Sequence, residues 1–183
     1  MKNLFFLLCI VMGTTWMSCA PKASDEAPAE AAADTTKAAP APVEFADPKY
    51  TEIGRKALAA LSAGDVEAWA ANYADNAVYR WNNGDSLAGK KAVYDYWLDR
   101  RTKLIDSLNF SEEIYLAVNV NKPQANEQAG IYLLSWYRTD AKYKTGKKMT
   151  QYMHAVMHFN ADGKIDEVFQ FRDNAPIIAA TMK

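Results

Sequence analysis

Residues 47–183 change from helical to strand-like hydrophobic spacing at about residue 112. In the first part, apolar residues recur every three or four positions, as in Tyr50, Ile53, Ala57, Leu58 and Leu61. In the second part, β-rich runs cover about 112–120, 128–139, 147–159 and 164–173, with turn residues between them. This order predicts an α+β fold in which helices pack on one face of a curved, mainly antiparallel sheet.

Individual residues mark the ends of the expected helices. Gly64 follows the first helix where a left-handed residue is favoured, and Asp65 can cap a short second helix that extends through Trp69 to Tyr73. A brief strand is expected at 77–81. Gly89 then precedes a third helix, whose apolar face contains Val93, Tyr96, Trp97 and Leu104.

Residues 1–18 have the features of a secretory signal peptide. Lys2 precedes an unbroken apolar run at 4–12, which is about half as long as a membrane-spanning helix. The sequence Trp16-Met17-Ser18-Cys19 resembles a bacterial lipobox, in which the cysteine receives diacylglycerol and becomes the mature N-terminus. We therefore expect Cys19 to be lipidated. The alternative is an ordinary signal peptide with an incidental cysteine.

Residues 19–46 are expected to be the lipidated cysteine followed by a linker. Residues 20–46 include 11 Ala and 4 Pro, so little apolar surface is available to bury. A flexible coil of this length spans roughly 30 Å. The predicted location is the bacterial cell envelope, where the protein is lipid-anchored to a membrane (outer membrane or periplasmic face). Residues 47–183 are expected to form one domain.

The charge balance argues against nucleic-acid binding. The chain has 21 Lys/Arg and 22 Asp/Glu, and no basic run is longer than two residues, so a surface that recognises phosphate backbones is not expected. Residues 47–183 carry 18 basic and 17 acidic residues. Membrane attachment is therefore expected to depend on lipid rather than on a basic face.

No metal or cofactor is expected. Both cysteines, Cys9 and Cys19, lie within the first 20 residues, so the domain has no thiol ligand. His154 and His158 are four residues apart, which on a strand separates them by about 13 Å. We expect these histidines on the surface or in a dimer interface, and not around a metal.

Two segments resemble a known superfamily. Residues 57–97, ALAALSAGDVEAWAANYADNAVYRWNNGDSLAGKKAVYDYW, and residues 158–173, HFNADGKIDEVFQFRD, resemble the opening and the last hairpin of SnoaL-like and ketosteroid isomerase-like members of the nuclear transport factor 2-like superfamily. The resemblance implies a cone-shaped domain of the cystatin-like roll type. In such a domain a bent sheet wraps around a long helix, a pocket opens between them, and the outer sheet face frequently forms a dimer.

The resemblance also identifies the positions that would carry isomerase chemistry. The family's tyrosine, general base and protonated aspartate correspond to Ala57, Arg80 and Ala155. A methyl group donates no hydrogen bond, and a guanidinium that stays protonated abstracts no proton at neutral pH. Ketosteroid isomerase activity is therefore not expected, and no enzyme activity is assigned.

The same resemblance, combined with the alternation of side chains along a strand, implies which side chains face the cone. On the last two strands the inward set is Gln151, Met153, Ala155, Met157, Val168, Gln170 and Arg172. A register error of one residue would exchange the two faces. The candidate ligand-binding residues are Tyr73, Arg80, Tyr96, Trp97, Met153, Met157, Gln170 and Arg172.

Each candidate also has a structural alternative. The aromatic side chains can be core residues, and the two arginines can be paired with Asp75, Asp85, Asp173 or a backbone carbonyl. The preferred interpretation is a membrane-anchored, homodimeric domain that binds a small, partly apolar molecule with or without an anionic group. The alternatives are an envelope enzyme of the cyclase, dehydratase or hydrolase kind, with Asp173 or Tyr96 as catalytic candidates, and a protein-interaction module that uses the outer sheet face.

Overall fold

The computed structural model describes residues 39–182. The predictions for the signal peptide, for Cys19 and for residues 19–38 of the linker lie outside the described residues. Among residues 39–182, no helix combines the length and the hydropathy needed to cross a bilayer.

Within residues 39–182 the chain forms four α-helices and one π-helical turn. They are α1 (Lys49–Ala63), α2 (Val66–Ala70), α3 (Lys90–Asp99), the π-helical turn Arg100–Leu104, and α4 (Asn174–Thr181). Gly64 ends α1 with a φ of 86°, and the Asp65 side chain caps α2 by accepting from the Ala68 N–H, as predicted. The second helix ends at Ala70, whereas it was expected to reach Tyr73. The sequence interpretation did not include α4.

Within residues 39–182, seven strands form one sheet. They are β1 (Val43–Phe45), β2 (Tyr73–Trp81), β3 (Ser86–Ala88), β4 (Ile105–Val120), β5 (Gly130–Tyr143), β6 (Lys148–Phe159) and β7 (Ile165–Phe171). Their spatial order is β1-β4-β5-β6-β7-β2-β3, and only the β2–β7 pair is parallel. The predicted α+β class, with a mainly antiparallel curved sheet, is confirmed.

A bulge interrupts β4 near its middle. The pairing of β4 with β5 shifts between Ser111 and Ile114, and Glu112 has a φ of 52°. A bulge bends a strand and increases its local twist, so this feature favours a sheet that curves over α1. Gly54 permits close packing there, because a Cβ atom at this position would lie 2.5 Å from Leu133 Cδ2.

The core lies between the helices and the inner face of the sheet, and we call this space the cone. Its contributors include Leu58 and Leu61 from α1, Trp69 from α2 and Trp97 from α3. The strands contribute alternate residues, of which Leu133 is fully buried. The helices therefore place aromatic side chains opposite the inward-facing residues of β5, β6 and β7.

Candidate ligand-binding cone

A small cavity of ≈ 50 Å³ lies inside the cone. Most of its wall is aromatic or aliphatic, and the aromatic part comprises Trp69, Tyr73, Tyr79, Trp97, Phe110, Tyr137 and Tyr143. A volume of this size holds a few water molecules or one small chemical group. The cone is thus largely filled by its own side chains.

Six of the eight candidate residues line this cavity: Tyr73, Trp97, Met153, Met157, Gln170 and Arg172. Ala155 and Val168 line it as well, so the predicted inward register of β6 and β7 is confirmed. Gln151 is half-buried and lies outside the cavity wall. The role of these residues in ligand binding remains a prediction.

Arg80 does not face the cone, and its predicted inward orientation is wrong. Its side chain is exposed, and Nε donates a 2.9 Å hydrogen bond to Oε1 of Glu167 on the parallel neighbour β7. The physical reason is strand alternation: Tyr79 and Trp81, on either side of it, are each 4% exposed and point inward. An anion site that includes Arg80 therefore has no structural basis.

Arg172, unlike Arg80, lines the cavity. Its guanidinium lies 4.8 Å above the Trp81 ring, and Nε donates to Asn174 Oδ1 at 3.1 Å. Nη2 contacts the Tyr96 hydroxyl at 3.5 Å. Among the described residues, no carboxylate lies within 4.0 Å of this arginine. Arg172 is a half-buried cation whose partners are all neutral.

Tyr96 is placed behind Arg172 rather than on the cavity wall. Its ring packs against Trp81 at 5.1 Å and against Trp97 at 5.7 Å, and its hydroxyl is the contact of Arg172. Tyr96 therefore positions a residue that lines the cavity. Tyr96 would therefore affect a ligand indirectly, by holding Arg172, or would contact it directly only after its side chain moved into the cavity wall.

Arg100 lines the cavity and was missed by the sequence interpretation. It lies 5.3 Å above the Tyr96 ring, and it is three residues after Trp97 and four after Tyr96. That spacing places all three on one helical face, which is the signal that could have identified Arg100. The cavity thus has two guanidinium groups, from Arg100 and Arg172.

A buried hydrogen-bond chain fixes the polar wall of the cavity. Trp81 Nε1 donates to Gln170 Oε1 at 3.0 Å, and Gln170 Nε2 donates to the Tyr137 hydroxyl at 3.1 Å. Burial raises the pKa of Tyr137 to about 12, although Gln170 and Arg172 oppose the increase. Burial also raises the pKa values of Tyr73 and Tyr79 well above their ordinary value. These phenols are neutral at physiological pH, so they can donate hydrogen bonds but cannot act as bases.

Two residues that line the cavity each have a buried side-chain polar atom without a hydrogen-bond partner in the described part of the chain. The atoms are Trp97 Nε1 and Thr139 Oγ1. Leaving a buried polar group unpaired costs about 1–3 kcal/mol. A ligand or water with a polar atom in this cavity would remove that cost. These unpaired atoms are therefore the strongest structural support for ligand binding in the cavity.

Acid–base groups are missing from the cavity wall, whose residues include no Asp, Glu or His. Asp173 caps α4 instead: its Oδ1 accepts from the Ala175 N–H at 2.8 Å, and its side chain is exposed. Ala155 presents only a methyl group to the cavity, and Ala57 lies in the core. The geometry thus brings neither a carboxylate base nor an oxyanion-binding acid to the isomerase positions.

The histidines are separated in the structure. His154 lies on the outer sheet face between Trp136 and Phe171, with ring centroids 4.6 and 5.6 Å away. His158 is only 6% exposed, so a free surface position is wrong, while its alternative position in a dimer interface stays a prediction. Its Nδ1 lies 2.6 Å from Asp166 Oδ1, because the carboxylate provides a partner that stabilises the buried ring. Within residues 39–182, no group of three or more His, Cys, Asp or Glu side chains could hold a metal ion.

Helix α4 closes one side of the cavity. Ile177 lines the cavity and is 8% exposed. The end of the helix is held by side-chain hydrogen bonds from the β5–β6 turn, in which Thr145 Oγ1 donates to Ala180 O at 2.6 Å and Lys147 Nζ donates to Met182 O at 2.9 Å. Only Ile177 and Ala180 of α4 are buried, so this helix contributes little apolar contact to the core.

Comparisons with known proteins agree with this architecture. The model of the SnoaL-like domain family matches residues 55–168. No curated protein matches the chain.

Three solved structures illustrate the shared fold. A proposed polyketide cyclase from Xanthomonas campestris pv. campestris has a TM-score of 0.57 at 18% identity, covering 72% of this chain and 96% of its own. A second proposed polyketide cyclase, from Pseudomonas putida, has a TM-score of 0.58 at 15% identity, with coverage of 72% and 97%. A proposed isomerase from Bacillus subtilis has a TM-score of 0.57 at 20% identity, covering 72% of this chain and 91% of its own. At these identities the likeness concerns the fold alone.

Proposed function

The chain belongs to the SnoaL-like domain family, and we propose that its cone binds a small, partly apolar molecule that carries an anionic group. A fold of this kind suggests small-molecule binding or catalysis. Binding is the better-supported of the two, because the cavity wall has guanidinium and phenol groups but no carboxylate or imidazole.

One observation carries the anionic preference: Arg172 lines an apolar cavity while all its partners are neutral. A ligand carboxylate that replaced water beside this guanidinium would gain a charge-assisted hydrogen bond. Trp97 Nε1 and Thr139 Oγ1 offer further polar contacts at the wall, and the aromatic rings would surround the apolar part of the ligand. The test is titration with matched carboxylates and amides, such as phenylacetate and phenylacetamide.

The small cavity means that most ligands must displace part of the wall. A cavity of ≈ 50 Å³ is far below the roughly 300–1,000 Å³ of ordinary ligand sites. Opening at α4 would remove Ile177 from the wall and enlarge the space beside Arg172. In this proposal, ligand affinity includes the cost of moving α4.

Shortening Ile177 should therefore help large ligands and harm stability. We expect Ile177→Ala to lower the free energy of unfolding by about 2 kcal/mol and to increase affinity for phenylacetate roughly tenfold, since less apolar contact must be broken. Calorimetric titration and denaturant unfolding measure both effects. Ile178→Ala is the control, because the adjacent side chain is 54% exposed. Equal phenylacetate affinity in the wild type and in both variants would contradict an entrance at α4.

The outer sheet face supports a second proposal, that the domain forms a homodimer. Tyr152, Phe171 and Trp136 on this face are 67%, 44% and 38% exposed, and Ile114 is 63% exposed. Phe169 packs beside Phe171 with ring centroids 4.9 Å apart. A contiguous aromatic surface of this kind favours burial against a second sheet, and a two-fold arrangement would bury the same patch on both copies.

We also propose that Cys19 is lipidated and holds the protein at the cell envelope. The support is the apolar run at 4–12, the Ser18-Cys19 pair and the Ala/Pro-rich segment that follows. Replacing Cys19 by Ala should move most of the protein from the membrane fraction to the soluble fraction, because the apolar run at 4–12 is about half as long as a membrane-spanning helix. Cell fractionation in high salt, which screens electrostatic contacts with lipid headgroups, measures this, with Cys9→Ala as the matched control. Unchanged membrane association of the Cys19→Ala protein would contradict lipidation.

A further inference from the structure

Charge is segregated within the domain even though its net charge is close to zero. Residues 100–103 and 142–148 contain seven Lys/Arg and no Asp or Glu. The rest of 47–183 contains 11 Lys/Arg and 17 Asp/Glu. The two basic segments are far apart in the sequence, so a search for basic runs does not detect them as one group.

The fold brings these two segments together. The Lys144 N–H donates to Leu104 O at 2.8 Å, and Lys144 Nζ donates to Thr102 O. Lys103, Lys144 and Lys147 line one groove together with Leu104, Tyr143 and Met182. We call this part of the surface, formed by residues 100–103, 142–148 and the end of α4, the basic end.

Few acidic residues compensate the basic end. Asp99 pairs with Lys103 at 2.5 Å, and Asp106 pairs with Lys142 at 2.7 Å. Within the described residues, Lys144, Lys147 and Lys148 have no carboxylate within 4.0 Å. A positive field therefore remains at this end, while the rest of the domain is acidic.

Exposed aliphatic side chains lie among these lysines. Helix α4 contains no charged residue, and Ile178 and Met182, one turn apart, are 54% and 62% exposed. Met182 lines the same groove as the three lysines. Lys147 Nζ donates to the carbonyl oxygens of Ala179 and Met182, which fixes its ammonium group beside the apolar end of the helix.

This combination fits the surface of a membrane that contains anionic lipid. Lysines near an anionic bilayer interact with headgroup charge, and neighbouring aliphatic side chains enter the interface. A small soluble anion would satisfy the lysines but would leave Ile178 and Met182 in water. We propose that the basic end docks on an anionic membrane surface. This contact requires neither a ligand in the cone nor lipidation of Cys19.

Residues 39–183 provide the test without the N-terminal apolar segment. They contain the whole sheet and core, and two solved structures with this fold match over 96% and 97% of their own length, so the fold forms as an independent chain. We expect this fragment to sediment with vesicles that contain phosphatidylglycerol and to remain in solution with pure phosphatidylcholine. Binding should weaken as salt is raised.

The decisive variant replaces three lysines of the basic end, Lys103→Gln, Lys144→Gln and Lys148→Gln. Each lysine near an anionic surface contributes about fivefold to binding, so we expect a loss on the order of 100-fold. The matched control is Lys49→Gln, Lys91→Gln and Lys122→Gln, three lysines outside the basic end with the same change in net charge. It should lose less than about twofold. If the triple variant unfolds at a markedly lower temperature than the wild type, the single variant Lys148→Glu is used in its place.

A separate variant tests the apolar contact. Ile178→Gln with Met182→Gln should weaken vesicle binding severalfold and leave its salt dependence unchanged, because no charge is altered. Equal losses in the two lysine triples would overturn the proposal. Binding to phosphatidylcholine as tight as to phosphatidylglycerol would also overturn it. So would tight binding to heparin with none to vesicles, or full competition by glycerol phosphate, since these identify a soluble polyanion or a small anion as the partner.

Discussion

Replacing Arg172 by Met should abolish the preference of the domain for carboxylates over their neutral amides. Removing one partner of a desolvated charge pair costs roughly 2–5 kcal/mol. Arg172 is only half-buried, so we expect a value near the lower limit, about 2 kcal/mol or roughly 30-fold in the Kd of phenylacetate. Affinity for phenylacetamide should change little. Isothermal titration of both ligands measures the difference.

Arg80→Met is the matched control for this experiment. It removes the same functional group from a neighbouring strand, but the Arg80 side chain is 45% exposed and pairs with Glu167 outside the cone. An exposed pair of this kind contributes under about 1 kcal/mol, so the carboxylate preference should remain. A preference that disappears in both variants, or in neither, would contradict an anion contact at Arg172.

Placing a carboxylate on the outer sheet face should separate the homodimer. Phe171 is 44% exposed and lies between Phe169 and His154 in a continuous aromatic surface. Phe171→Asp would bury an unpaired charge in the interface, and central interface residues commonly cost 2 kcal/mol or more when removed. We expect the Kd of the dimer to rise on the order of 100-fold. Sedimentation equilibrium over a range of concentrations measures this.

The control for the dimer experiment is Phe45→Asp. Phe45 is 82% exposed on β1, at the edge of the sheet, so the same substitution is made away from the proposed interface. It should leave the dimer intact. A wild-type domain that sediments as a monomer at every concentration would contradict the proposal.

Short-range signals predicted much of the fold. Gly64 and Asp65 each act within a few residues, and their positions are those expected from helix-capping chemistry. The inward register of β6 and β7 followed from the family resemblance together with strand alternation, because a shift of one residue would move the buried side chains to the other face. Six of the eight candidate side chains consequently lie on the cavity wall.

Arg80 shows where the family resemblance gave the wrong orientation. The resemblance placed it at an inward position, whereas Tyr79 and Trp81 are the larger apolar side chains and occupy the inside of β2. Burial of two aromatic rings outweighs any preference for an inward guanidinium, which would need a partner. Attention to these two neighbours would have predicted the outward position.

Other features depend on contacts between distant segments. Helix α4 is short, and its end is held by Thr145 and Lys147, some 35 residues earlier in the chain. The basic end requires residues 100–103 to meet residues 142–148, which no local pattern indicates. The volume of the cavity likewise depends on how all the side chains pack, so sequence alone could not determine whether the cone is open or filled.

Indole NMR gives the most direct test of ligand binding in the cone. The domain has four tryptophans: Trp69, Trp81 and Trp97 are buried in the core, and Trp136 lies on the outer face. In ¹⁵N-labelled protein, phenylacetate should shift the Trp97 indole signal saturably, because Trp97 lines the cavity and its Nε1 is unpartnered in the described structure. The Trp136 signal should stay in place. A saturable shift of Trp136 with no change at Trp97 would contradict binding inside the cone.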